Sequence, residues 1–138
     1  MTPTDADFDD MHHALGRPEG PWKPPYRNHF VCATGGCQAH RFAELTGLWK
    51  CINHINRGQD AVYIVTGEGI RQLMGWLTAK AKAQGLRPYI VTGQGLSTRT
   101  ILAASRSAAR YRVFLEISDV FPGGYREFQK LGVSPRLA

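Results

Sequence analysis

Read for the spacing of its apolar residues, the chain alternates between strand-like and helix-like stretches bounded by Gly or Pro. Leu48 to Ile55 (LWKCINHI) is predicted to be a strand, with Leu48, Lys50, Ile52 and His54 on one face and Trp49, Cys51, Asn53 and Ile55 on the other. Arg57-Gly58-Gln59-Asp60 makes a hairpin tip, and Ala61 to Val65 (AVYIV) returns. Thr66 is placed to N-cap a helix whose Ile70, Leu73, Met74 and Leu77 recur at i, i+3, i+4, i+7, and Gly85 stops it. Upstream, Thr34-Gly35-Gly36 turns into a helix from Gln38 to Leu45 that ends at Gly47, and His29 to Ala33 is a short strand or a helical entry. Downstream, Arg87 to Thr92 and Thr98 to Ala104 are predicted strands. A helix capped by Ser105 or Ser107 then runs to about Val120, with Tyr111, Phe114, Leu115 and Ser118 on one face. Phe121-Pro122-Gly123-Gly124 ends it, and Tyr125 to Leu131 forms a last short helix.

The N-terminal stretch lacks such a pattern. Residues 1–10 are polar and acidic and are expected to fray. Met11 to Gly16 is a short helix capped by Asp9 or Asp10. Residues 17–28 hold Pro18, Pro21, Pro24 and Pro25 and read as an extended connection, with Trp22 and Tyr26 as apolar anchors on a neighbouring surface. One echo recurs: Tyr63-Ile64-Val65-Thr66-Gly67-Glu68-Gly69 is matched by Tyr89-Ile90-Val91-Thr92-Gly93-Gln94-Gly95, as two similar strand-turn solutions. The expected class is α+β. It comprises an acidic, proline-rich segment (1–28), a helix–hairpin–helix unit (29–85) and a basic ββα unit (86–138), packed as one compact domain.

Composition narrows the partners. The 138 residues are 43% hydrophobic and 20% charged, as in a globular chain, and no apolar run reaches the ~18 residues of a membrane span, so no membrane is expected. The first twenty residues carry four aspartates and no apolar core of a signal peptide, and three cysteines cannot all pair. Reduced thiols in the cytosol are expected. The net charge of +6 is lopsided. Residues 1–70 hold six Lys/Arg and eight Asp/Glu, whereas residues 71–138 hold eleven and three. A one-sided positive field suits a polyanion or an acidic protein surface.

Two resemblances follow from these motifs. Leu45-Thr46-Gly47-Leu48, the hairpin, and Tyr63-Ile64-Val65-Thr66-Gly67-Glu68-Gly69-Ile70-Arg71 resemble the recognition-helix end, wing and following helix of winged-helix DNA-binding domains over roughly residues 37–77. That resemblance implies a winged-helix-like unit with fewer helices upstream than a full domain has. Three further segments resemble small proteins of tailed phages and prophages across most of the chain. They are His12-His13-Ala14-Leu15-Gly16-Arg17-Pro18, Tyr26-Arg27-Asn28-His29-Phe30, and Ser105-Arg106-Ser107-Ala108-Ala109-Arg110-Tyr111 followed by Ser118-Asp119.

Candidate chemistry is sparse. Cys32, Cys37, His40, Cys51 and His54 fall within 23 residues and offer the N and S ligands that zinc takes. The opposing reading makes Cys32 and Cys51 small buried apolar residues, and strand alternation separates Cys51 from His54. No P-loop, nucleophile elbow or His-Glu-x-x-His helix is present, so neither an enzyme nor a cofactor is expected. Arg99, Arg106, Arg110 and Arg112 carry the main signal. Cations at the start of a helix oppose its dipole, which a bound polyanion would offset. Ser105, Ser107 and the guanidiniums would then hold phosphates, with Arg57 adding a contact from the hairpin tip. The expected function is a non-enzymatic phage protein that binds duplex nucleic acid. The alternative is an inhibitor or adaptor of a host defence or regulatory complex that presents Trp22, Tyr26 and Trp49 to its partner and meets an acidic host protein surface.

Overall fold

A threonine starts the first element. In the computed structural model, which describes residues 2–93 and 95–138, Thr4 caps helix α1 (Asp5–Ala14) through a reciprocal box. The Asp7 backbone N–H donates to the Thr4 hydroxyl at 3.3 Å, and the Thr4 backbone N–H donates to the Asp7 carboxylate at 2.7 Å. The expected frayed acidic terminus is therefore corrected from residue 4 on: the helix begins six residues before Met11. The chain leaves α1 through left-handed Gly16 and Arg17, whose N–H groups donate to His13 and His12 carbonyls. The ring of Tyr26 lies so close over Gly16 that a Cβ there would fall 2.1 Å from it. The proline-rich stretch carries no helix or strand before β1 (Phe30–Ala33).

The chain divides into two compact units, Met1–Thr78 and Ala79–Ala138. In the first, β1, β2 (Trp49–Ile55) and β3 (Asp60–Val65) form an antiparallel sheet in the order β1-β3-β2, with α2 (Cys37–Glu44) between β1 and β2. α3 (Gly67–Ala83) follows β3 and crosses the boundary. Thr66 caps α3 as expected, accepting from Gly69 N–H at 3.1 Å while its hydroxyl donates to the Gly47 carbonyl at 2.5 Å. Gly69 has to be glycine, because a Cβ would stand 2.5 Å from the Leu48 carbonyl oxygen. The core joins Met11, Leu15, Phe42, Leu45, Trp49, Val65 and Leu73. At its centre Phe42 stacks on Trp49 at 3.9 Å between centroids and meets Phe30 and Tyr63 edge-on. Asn28, just before β1, acts as a strand residue by side chain alone. Its amide donates to the Val65 carbonyl at 2.9 Å and its Oδ1 accepts from Val65 N–H at 2.8 Å.

The hairpin departs from simple alternation. Cys51 pairs with Tyr63 but Asn53 pairs with Val62, so a bulge absorbs Ile52. Beyond it the faces swap, and the register puts Cys51 and His54 on one side of the sheet rather than on opposite sides. Beyond Trp49 every residue of β2 is exposed.

The second unit is a three-stranded antiparallel sheet in the order β5-β4-β6, built from β4 (Arg87–Thr92), β5 (Arg99–Ala103) and β6 (Ser134–Leu137), with α4 (Arg106–Ile117) across one face. A short helix, α5 (Tyr125–Gln129), packs on α4. The predicted ββα order stands, and β6 is an addition. Pro135 is admissible in β6 because that strand lies at the sheet edge. The helix face differs from expectation: Ala109 and Val113 are fully buried over the sheet, whereas Tyr111 and Leu115 are 46% and 52% exposed. Small side chains let α4 approach closely, and Phe128 of α5 completes the core with Tyr89, Val91 and Ile101. Gln94 of the repeated Tyr-Ile-Val-Thr-Gly motif lies outside the described residues. In both copies the Tyr and Val alternate onto the core side.

Candidate nucleic-acid interface

Charge follows the division of the fold. The first unit holds seven Lys/Arg and eight Asp/Glu, and the second holds ten and three, a net +7 in sixty residues. The strands β4, β5 and β6 carry Arg87, Arg99 and Arg136 and no acid; the three carboxylates of this unit are Glu116, Asp119 and Glu127, on or beyond the last turns of α4.

The four arginines singled out by sequence do not form a single cationic face, and that expectation is corrected. Arg99 is held by Glu116 at 2.8 Å and also reaches Ser97. Arg112 donates from Nη1 to the Leu102 carbonyl, which ties α4 to the edge strand β5. Arg110 donates from Nε to the Val133 carbonyl at 3.1 Å, on the β6 flank. Arg99 thus reaches from β5 onto α4, Arg112 is drawn from α4 toward β5, and Arg110 is drawn toward the β6 side. Arg106 is exposed and meets no partner among the described residues. Ser105 caps α4, its hydroxyl accepting from Ala108 N–H at 3.1 Å, and Ser107 is exposed beside it. In the other unit Arg57 stands exposed at the hairpin tip with φ 58°.

The aromatic trio also separates. Trp49 belongs to the core, 7% exposed and stacked on Phe42, so its assignment to a partner surface is corrected. Strand alternation put it opposite Leu48, but both are buried where the strand leaves α2. Trp22 is half-buried and folds over Gly20. Tyr26 is 78% exposed, with the Arg27 guanidinium 5.7 Å from its ring centroid.

The zinc candidates are not assembled. The register places Cys32, Cys51 and His54 on one face, but among the described residues no three His, Cys, Asp or Glu side chains come together as a metal site. Cys37, His40 and His54 are exposed. Burial first, then neighbouring Cys51, Asp60 and Asp10, pushes the Cys32 thiol up, away from the thiolate that zinc binds.

A group that sequence reasoning missed is the buried pair of Asp7 and Arg41. Asp7 is 4% exposed and takes Nε and Nη2 of Arg41 at 2.8 and 2.5 Å, joining α1 to α2. Glu44 holds the other side of the guanidinium at 3.1 Å. The signal was present as Thr4-x-x-Asp7, a capping spacing hidden among four aspartates. This cluster is structural, and no helix of the described residues is long and apolar enough to cross a membrane. Comparisons with protein-family models, curated proteins and solved structures find no match.

Proposed function

We propose that the chain is a non-enzymatic phage or prophage protein, working in the bacterial cytoplasm, that binds duplex nucleic acid through its second unit. The observation that carries this reading is the concentration of ten cations against three acids in sixty residues, next to a first unit that is nearly neutral. A net charge of this size on a small unit raises the local concentration of a polyanion and speeds encounter. Arg106 is the leading phosphate contact, since nothing in the described residues competes for it. Arg110 keeps its terminal nitrogens beyond the single bond from Nε. Arg99 and Arg112 contribute field more than contact, because their guanidiniums are already engaged. The order β1-β3-β2, with α2 before the hairpin and α3 after it, supports a winged-helix-like reading of the first unit, with Arg57 at the wing tip.

Replacing Arg106 and Arg110 together by alanine should weaken binding to a mixed-sequence DNA duplex. It should also lessen the log-log salt slope by roughly 2, at about 0.9 per lost phosphate contact. Fluorescence anisotropy over a salt series measures this, and an unchanged slope would remove both residues from the interface.

A second reading, an inhibitor or adaptor of a host protein complex, draws on the first unit. Tyr26, Val31 and Ile52 are 78%, 46% and 52% exposed, more apolar surface than folding needs. Binding to a purified host protein that is indifferent to added DNA and is lost on Tyr26→Ala would favour it.

A further inference from the structure

The core of the first unit lies on one side of its sheet. Cys32, Trp49 and Val65 belong to the side on which Met11, Leu15 and Phe42 bring α1 and α2 against the strands. Register and alternation send three successive rows to the other side: Lys50 with Ile64, Val62 with Val31, and Ile55 with Asp60. None of the apolar residues in these rows joins the core. Val31 and Ile55 are 46% and 37% exposed, and Val62 and Ile64 are half-buried. The face carries one charge of each sign, at opposite ends. Lys50 is exposed and in no ion pair among the described residues; Asp60 accepts from the Asn56 amide at 2.5 Å and likewise meets no cation there. In one chain the two stand four residues apart along β3, about 14 Å, beyond the reach of a direct ion pair.

We propose that this face is the interface between two copies of the chain, packed sheet on sheet about a two-fold axis that crosses the strands at Val62. The charge pattern selects that occupant. A half-turn about such an axis lays the Lys50–Ile64 row of each copy over the Ile55–Asp60 row of the other. Each Lys50 then lies one strand spacing from the other copy's Asp60, so two ion pairs close that neither chain can close alone. Between them Val62 and Val31 meet their own counterparts. With one cation and one acid the face offers a polyanion no net attraction, and a partner of single sign would be drawn to one end and repelled at the other. Its size sets the strength. Three strands by five residues span about 14 by 17 Å, a footprint well below the roughly 800 Å² that each partner gives to a standard interface. The dimer is therefore weak, with a dissociation constant of about 10 μM or above.

Sedimentation equilibrium of the full chain, loaded from about 5 to about 500 μM, is expected to fit a monomer–dimer equilibrium. Val31→Glu puts a charge in the central row and should weaken dimerisation at least tenfold. Val120→Glu, at an 82% exposed residue of the second unit, should change it less than twofold. Lys50→Glu and Asp60→Lys should each weaken it at least threefold, and the two together should restore it to within twofold of wild type. That rescue separates a contact between copies from a folding defect, because the two positions are too far apart to pair within one chain. A monomer at every concentration, a dimer indifferent to Val31→Glu, or a double variant no better than the single ones would overturn the proposal.

Discussion

Phe42→Ala is expected to destabilise the first unit by about 3–5 kcal/mol, the usual range for emptying a buried aromatic site. Phe42 is 2% exposed, and three aromatic rings, those of Trp49, Phe30 and Tyr63, rest on it from β2, β1 and β3. None of them can follow it into the space left, because each is fixed by its own strand. Against a typical total stability of about 5–15 kcal/mol for a domain, the loss is large enough to populate the unfolded form of that unit. Tryptophan fluorescence in a urea titration is a selective probe here, since Trp22, Trp49 and Trp76 all fall in the first unit. The midpoint should fall sharply. A midpoint within experimental scatter of wild type would mean that the aromatic centre is not what holds this unit together.

The second large effect concerns Asp7. Breaking a buried ion pair from one side typically costs about 3–5 kcal/mol, and Arg41 is 27% exposed and keeps Glu44, so Asp7→Asn should cost about 2–3 kcal/mol. The pair also sets an acid limit. Hydrogen bonds from Arg41, the largest influence, outweigh burial and, with those from Thr4, hold the Asp7 carboxyl down at about 2. A carboxyl depressed on folding stabilises the protein above its unfolded value, near 3.8, and that contribution is lost as pH falls toward 2. Wild-type stability should therefore drop by about 2 kcal/mol more than that of Asp7→Asn between pH 5 and pH 2. Parallel pH profiles for the two proteins would show that the carboxylate is not engaged as described.

These two sites show what kind of information the chain exposes locally. The β2–β3 hairpin and α3 were legible because alternation, a Thr cap and an i, i+3, i+4, i+7 stripe all lie within a few residues of what they specify. α1 was not, because its four aspartates look like a solvated tail until one of them is answered by Arg41, thirty-four residues on. The bulge at Ile52 was hidden for a related reason: register is a property of a pair of strands, and β2 read alone alternates without fault. β6 is four residues with a proline and acquires strand character only by pairing with β4. The arginines fall between these cases. Their crowding was plain, but the partners of Arg99, Arg110 and Arg112 lie ten to twenty-three residues away, and those partners decide which guanidiniums remain open to a ligand.

The proposed function requires the second unit to bind phosphates. The most direct measurement is the affinity of the unmodified chain for a mixed-sequence DNA duplex between 50 and 200 mM salt. Contacts with several phosphates predict a straight log-log plot of slope about −3 or steeper, at about −0.9 per contact. A flat plot, or no binding at the lowest salt, would contradict it.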